Sequence, residues 1–212
     1  LWRSFLKDNF YQPESLEAIV GHERKKEAVL VALDRGRFNN HILLKGPHGV
    51  GKSSFARAIM NDSTSDDHFD KQWISAARRE NKEIIKKIQN FFSHIALGGQ
   101  KIIVIDEIDE MRKNYQTKLE PLLDPTSPEN YSDTVIIATT NCIENEGDLT
   151  SKLWDLFDHR HFKKLSDEEI REFIERLESQ NSLDLDKELV DQVVEKADGK
   201  PRRAKQVISR YE

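Results

Sequence analysis

One stretch limits what this chain can fold into more than any other: Gly46-Pro-His-Gly-Val-Gly-Lys-Ser53, entered from the apolar run His41-Ile-Leu-Leu-Lys45. A helical segment over Ser53–Met60 is expected directly after it. Glycines in such a loop let the backbone curl until its N–H groups surround phosphate oxygens, and the dipole of the following helix adds partial positive charge. In the pattern G-x-x-x-x-G-K-[ST], Lys52 reaches the β- and γ-phosphates and Ser53 gives its hydroxyl to magnesium. A chance glycine turn is the alternative, but the order strand, loop, helix is the context this motif requires. The implied ligands are a nucleoside triphosphate and Mg2+. A short, wholly apolar strand feeding a helix also points to a parallel sheet covered on both faces.

The rest of the chain fits that sheet. Gly21–Arg35 reads as a helix closed by Gly36, and Asn61–Asp70 is a polar, acidic loop. Gln72–Ser75 is a candidate strand, and Asn81–Leu97 has the apolar spacing of a helix, ended by Gly98-Gly99. Lys101–Ile105 and Thr134–Thr139 are buried strands. Strands alternating with helices imply an open parallel sheet in an α/β domain. After about residue 164 the strand-like runs stop. Ser166-Asp-Glu-Glu169 is a capping box, and helices follow at Asp186–Ala197 and Pro201–Tyr211. The division is therefore residues 1–164 as the α/β nucleotide-binding domain and 165–212 as a small all-α domain.

Two further elements carry chemistry. Ile102-Ile-Val-Ile-Asp-Glu-Ile-Asp109 is an apolar strand ending in acids, which brings Asp106 and Glu107 to the carboxyl edge of the sheet beside the phosphate loop. Asp106 is placed to position magnesium, and Glu107 to polarise an attacking water. Asp109 and Glu110 read as the solvated start of the next helix. Val135–Asn141 is a third strand ending in an amide, which has the reach to bond the γ-phosphate or the water. Gly199-Lys-Pro-Arg-Arg203 opens the last helix with a basic pair, where positive charge is unfavourable, so an acidic or phosphate partner is expected.

Composition excludes several classes. The net charge is −5 and the pI about 5.9, so the chain as a whole is not an electrostatic nucleic-acid binder. Its mean hydropathy of −0.70, with apolar residues gathered in short runs, suits globular domains with much helix surface. A single cysteine, Cys142, rules out an internal disulfide framework and suits a reducing compartment, cytoplasmic or nuclear. No apolar run reaches the roughly 20 residues that span a bilayer, and the first residues do not form a signal peptide. Arg78, Arg79, Lys82, Lys86 and Lys87 form a basic strip, yet the interleaved Glu80 and Glu83 favour an ordinary solvated helix face. The histidines have no metal spacing.

Together these elements resemble the AAA+ ATPases over nearly the whole chain. Gly46–Ser53 looks like Walker A, Ile102–Glu107 like Walker B, Asn141 like sensor 1 and Arg202 like sensor 2, with the helical tail as the lid. Val20-Gly-His-Glu23 is similar to the stretch that packs near the adenine. The resemblance implies a nucleotide-binding set of Val20, Gly21, Gly46, Pro47, His48, Gly49, Val50, Gly51, Lys52, Ser53 and Arg202. It further implies catalytic roles for Lys52, Glu107 and Asn141, and magnesium held through Ser53 and Asp106. Its fold is an open parallel five-stranded sheet flanked by helices, with ATP bound between sheet domain and lid.

Within that family the chain looks like clamp-loader subunits of the replication-factor-C type. Leu1-Trp2, the run Tyr11-Gln-Pro-Glu-Ser-Leu-Glu-Ala-Ile-Val-Gly21 and Asn40-His-Ile-Leu-Leu-Lys-Gly-Pro47 carry the likeness. Initiator, branch-migration and Lon-type members share several of these features, and Leu119–Pro125 is somewhat Lon-like. The resemblance implies an oligomer with other AAA+ subunits, one of which supplies an arginine finger, working with a sliding clamp and DNA. A protein remodeller, a replication initiator or a non-hydrolysing ATP-binding assembly module are the alternatives.

Three departures qualify it. The positions where the family places a finger arginine fall on Leu153 and Leu156, with Arg160 out of register. Gln12 and Glu120 stand where clamp loaders carry arginine. The sequence also ends where clamp loaders continue into a helical collar, so either it is part of a longer chain or it assembles differently. The expectation is an asymmetric subunit that accepts an arginine from a neighbour and lends none.

Overall fold

The computed structural model describes residues 12–63, 69–77, 81–93, 100–130, 133–144 and 147–211. Leu1-Trp2, Tyr11, Arg78, Arg79, Glu80 and Gly98-Gly99 from the sequence reading lie outside these residues.

Five strands pair in one sheet: β1 (His41–Lys45), β2 (Phe69–Ser75), β3 (Gln100–Asp106), β4 (Thr134–Thr140) and β5 (Phe157–His161). Their order is β2-β3-β4-β1-β5 and every pairing is parallel. Parallel strands need covered faces, and β3 and β4 are accordingly buried along almost their whole length. The period of two divides β3 between two cores. Ile103 and Ile105 face Ile84, Ile88, Ile136 and Leu119, while Ile102 and Val104 face Leu44, Phe55, Ile59 and Ile137.

α1 (Glu23–Asp34), α2 (Lys52–Asp62), α3 (Asn81–Ser93) and α4 (Lys113–Leu123) cover these faces, and a short α5 (Ser151–Asp155) leads into β5. On α3 the apolar stripe Ile84, Ile85, Ile88 and Phe92 is buried, whereas Lys82 and Lys86 are exposed. That is the solvated face expected from the interleaved charges.

Several boundaries shift. α1 begins at Glu23, because Gly21 and His22 both adopt left-handed backbone at φ 71° and 62°. The expected loop at 61–70 is trimmed at both ends, by α2 running to Asp62 and β2 starting at Phe69. β5, Phe-Asp-His-Arg-His, was marked by no apolar run: it is the edge strand beside β1, where polar residues keep an open edge from pairing further.

Three helices follow: α6 (Asp167–Asn181), α7 (Lys187–Ala197) and α8 (Pro201–Ile208). The expected capping box is present, with Ser166 Oγ accepting from Glu169 N–H at 3.2 Å and Glu169 Oε2 from Ser166 N–H at 2.7 Å. Asp186 caps α7 through Leu189 N–H at 2.8 Å, and Pro201 occupies the first turn of α8. Ile170, Phe173, Ile174, Leu177, Val193 and Ile208 form a third core that also takes in Val20 and Leu165. Among the described residues no helix is long and apolar enough to cross a membrane.

Candidate nucleotide-binding site

The carboxyl edge of the sheet and the helices α6 and α8 enclose a cleft. The loop Gly46–Gly51 joins β1 to α2, and Gly46, Gly49 and Gly51 hold φ 149°, 82° and 101°, values that a side chain opposes. Lys52 at the first turn of α2 turns back over the loop and is buried. Its Nζ donates to Gly46 O at 2.6 Å, Pro47 O at 2.9 Å and Asn141 Oδ1 at 3.0 Å. Burial pulls the ammonium down to about 8, Asp109 opposing that shift and Arg202 adding to it.

Across the sheet edge a second group closes on Asp106. Its Oδ1 accepts from Ser53 Oγ and from Thr139 Oγ1, each at 2.7 Å. Thr139 Oγ1 accepts in turn from Glu107 N–H at 2.9 Å. Parallel pairing sets this arrangement, because β3 and β4 run side by side in register as far as Ile105 and Ala138. Glu107 follows at φ 59°, ψ 53°, left-handed backbone that costs a non-glycine residue on the order of 1–3 kcal/mol. That strain turns the chain sharply off β3 and leaves Glu107 on the cleft wall.

Asp109 corrects the sequence reading. The segment Ile108–Glu110 is a 3-10 turn, and only Glu110 is exposed on it. Asp109 is turned inward, where its Oδ2 accepts from Asn141 N–H at 3.3 Å. Its Oδ1 is buried without a hydrogen-bond partner. The carboxylate therefore anchors the backbone of the residue whose amide meets Lys52.

Val20, His48, Gly49, Val50, Gly51, Lys52, Ser53, Glu107, Asn141 and Arg202 all line the cleft. Gly21, Gly46, Pro47 and Asp106 do not. Asp106 is one hydroxyl away through Ser53, and Gly46 and Pro47 supply carbonyls to Lys52. Gly21 serves packing instead: its φ of 71° strains any side chain, and a Cβ there would stand 2.6 Å from Glu169 Oε1 and 2.8 Å from Leu165 Cδ2, which would have to move. Arg202 stands at the start of α8, its N–H 3.4 Å from Gly49 O. Of the basic pair, Arg203 has the acidic partner, Asp198 at 3.8 Å.

Sequence reading gave no site role to three residues of this region, and placed a fourth, His22, only within the segment Val20–Glu23. Asp109 is one, and Thr139 another, a strand-end hydroxyl with no motif of its own. Lys205 borders the cleft one turn beyond Arg202. His22 borders it too, its ring tilted against that of Phe162 with the centroids 4.4 Å apart. Burial holds the His22 imidazole below its usual range, and its Nε2 has no hydrogen-bond partner.

The departures have structural reasons. Leu153 is fully buried, and Leu156, partly buried, packs against the same core. Arg160 lies on β5 opposite Leu44 and pairs with Asp158 at 2.6 Å. Glu120 is buried and accepts from Thr150 Oγ1 at 2.5 Å, and Thr150 caps α5. It belongs to the packing of α4 on α5 rather than to an outward surface.

Residues 42–165 match the family described as ATPase family associated with various cellular activities. The replication factor C large subunit of Methanococcus vannielii is 34% identical over 109 residues, covering 49% of this chain and 21% of its own length. The replication factor C small subunit of Haloarcula marismortui is 26% identical over 200 residues, covering 92% of this chain and 58% of its own length. The chain thus spans little more than half of even the smaller relative. Among solved structures, the Aeropyrum pernix ORC1 protein in complex with DNA superposes with a TM-score of 0.76 at 20% identity, over 98% of this chain and 62% of that one. The Thermotoga maritima RuvB Holliday junction branch migration motor gives 0.73 at 23%, over 94% and 64%. At such identities these two speak for the fold alone. The match over residues 42–165 extends through more than half of the sequence, from β1 to the start of the helical tail: the chain belongs to the AAA family of ATPases.

Proposed function

We propose that this chain binds ATP with magnesium in the cleft and hydrolyses it at an interface with another AAA+ subunit, driving the remodelling of a DNA–protein assembly in the manner of a clamp loader. The observation that carries the reading is the convergence of Lys52, Ser53, Asp106, Glu107, Thr139 and Asn141 at one sheet edge, opposite Arg202. In this reading residues 1–164 form the nucleotide-binding domain and 165–212 the lid.

The residues suit their partners. Ser53 Oγ and Asp106 Oδ1 are hard oxygen donors 2.7 Å apart. Among the described residues no cluster of three or more acidic, histidine or cysteine side chains forms a metal cage. Magnesium in nucleotide sites takes only one or two protein oxygens, the rest coming from phosphates and water. Bound magnesium supplies neutralisation of the phosphate charge. Lys52 exchanges its carbonyl acceptors for phosphate oxygens, and the loop N–H groups hold the same chain of phosphates. Asn141 and Glu107 orient and polarise the attacking water, and Arg202 carries the lid's charge to the phosphates.

Leu153 and Leu156 favour an asymmetric subunit, one that receives an arginine for its own site and lends none to the next. Titrating the chain with Mg-ATP by calorimetry, with and without EDTA, tests binding. Mixing it with the AAA+ subunits that co-purify from its native cells, a sliding clamp and primed DNA tests hydrolysis and role. Magnesium-dependent binding, with turnover appearing only in the mixture, is the expected result. Turnover by the isolated monomer would remove the interface requirement, and co-purification with protein substrates alone would favour a remodeller. If Arg160→Ala abolishes the neighbour's turnover, the asymmetry is wrong.

A further inference from the structure

Lys205 has no place in the reading above. It follows Arg202 by one turn of α8, on the same face of that helix and about 4.5 Å further along its axis. It borders the cleft beside Val20, Leu165 and Phe173, three residues of the lid's own core. Its Nζ stands 5.8 Å from the centre of the Phe173 ring. Arg202, by contrast, lies against the loop Gly46–Gly51: its backbone N–H faces Gly49 O, and a Cβ on Gly49 would stand 3.2 Å from Arg202 Cβ and 3.8 Å from its Cδ. The two cations of one helix face therefore address different parts of the cleft. Nucleotide pockets are mostly apolar where they take the flat base, with a few placed polar groups that fix its orientation. Burial pulls the Lys205 ammonium down to about 8, with the charge of Arg202 adding to the shift. An ammonium kept in such surroundings binds an acceptor strongly, because few waters compete for it.

We propose that Lys205 reads the sugar–base half of the nucleotide, donating a hydrogen bond to an acceptor atom there, and so helps to set which nucleoside triphosphate the cleft retains. This rests on the nucleotide reading of the same site. The polyphosphate already has Lys52, Arg202 and the loop N–H groups. Lys205 adds selectivity at the opposite end, on a helix that belongs to the lid, so the nature of the base is sensed by the element that closes over it.

The test compares ATP, GTP and inorganic tripolyphosphate, each with Mg2+, by calorimetry on the wild type, Lys205→Met, Lys205→Arg and Arg202→Ala. Tripolyphosphate has no sugar or base. Lys205→Met is expected to weaken ATP about tenfold, the worth of one charged hydrogen bond, to change the ATP-to-GTP ratio, and to leave tripolyphosphate within about twofold. Lys205→Arg keeps a donor and retains most of the ATP affinity, while Arg202→Ala weakens ATP and tripolyphosphate alike. An unchanged melting temperature shows that Lys205→Met folds. Equal losses for ATP and tripolyphosphate in Lys205→Met would make it a phosphate ligand and overturn the proposal. So would unchanged affinities for both nucleotides. If the wild type binds neither ATP nor tripolyphosphate, the nucleotide reading falls and this inference with it; if it binds both and only the Lys205 pattern fails, the nucleotide reading stands.

Discussion

The two edges of the one sheet handle buried polar side chains in opposite ways. At the amino edge they close mainly on the backbone of neighbouring segments. Gln100 accepts from Phe38 N–H at 2.7 Å and donates to Phe38 O at 2.9 Å. Lys101 donates to Phe92 O at 2.9 Å and pairs with Asp133 at 3.3 Å. His41 bridges Leu123 O and Ile136 N–H. At the carboxyl edge backbone contacts also occur, Lys52 to the carbonyls of Gly46 and Pro47 among them, but the side chains bond one another as well, Lys52 to Asn141 and Ser53 and Thr139 to Asp106. They also carry strain at Glu107 and a partnerless oxygen at Asp109. A side chain tied to backbone cannot leave without orphaning a buried group, so it holds structure. Side chains tied to each other can exchange partners with a ligand. The difference separates polar residues that keep the fold from those placed for chemistry.

Substitutions at the carboxyl edge should therefore change ligand behaviour and spare stability. Glu107→Gln is expected to lower ATP turnover of the assembled oligomer by about 10²–10⁴ with ATP binding kept, as loss of a general base does. Glu107→Gly should lose turnover equally while raising unfolding stability by about 1 kcal/mol, because glycine relieves the left-handed backbone. A stability loss in both would place Glu107 with the structural set. Lys52→Ala comes next, with ATP affinity reduced about 100-fold by calorimetry, since in the proposed reading it removes charge-assisted bonds to two phosphates. Its melting temperature should change little, because losing the bonds to Gly46 O and Pro47 O is offset by removing a desolvated ammonium.

At the other edge the pattern should invert. Gln100→Leu removes two buried hydrogen bonds to Phe38 and is expected to lower unfolding free energy by about 2 kcal/mol in denaturant titration. ATP affinity should stay within about twofold. A comparable loss of affinity would show that the two edges are energetically coupled and that the division drawn here fails.

The contrast also explains what was legible in the sequence. Gly46–Ser53 and Ile102–Glu107 could be read because a phosphate loop and a strand ending in acids dictate residue type at fixed spacing. Asn141 needed those two as context. Asp109 was misread because an acid after a strand looks like a helix start, and only the 3-10 turn at Ile108–Glu110 reveals that it points inward. β5 carried no hydrophobic pattern because an edge strand is buried on one side at most. Lys205 and the amino-edge bonds depend on which distant segments meet, as with the pair Phe38 and Gln100, and no local spacing encodes that.

A further expected effect is a pH dependence at the amino edge. His41 Nδ1 accepts from Ile136 N–H at 3.0 Å and its Nε2 faces Leu123 O at 3.3 Å, an arrangement that fits only the neutral ring with its proton on Nε2. Burial pulls its pKa down to about 4, the Leu123 carbonyl opposing only part of that shift. The unfolded chain takes up this proton near the ordinary value of about 6.5, so between the two values it binds more protons than the folded state. The stability that His41 contributes is therefore complete above about pH 6.5 and lost as the pH falls towards 4. The loss should run at up to about 1.4 kcal/mol per pH unit, measured by denaturant titration between about pH 6 and 5. His22 and His161, whose imidazoles are also held below the usual range by burial, act in the same direction. The His41 share is thus the difference in slope between the wild type and His41→Gln, which should be less steep. Equal slopes would mean that the neutral ring is not required, and that this edge tolerates charge as readily as the one bearing the cleft.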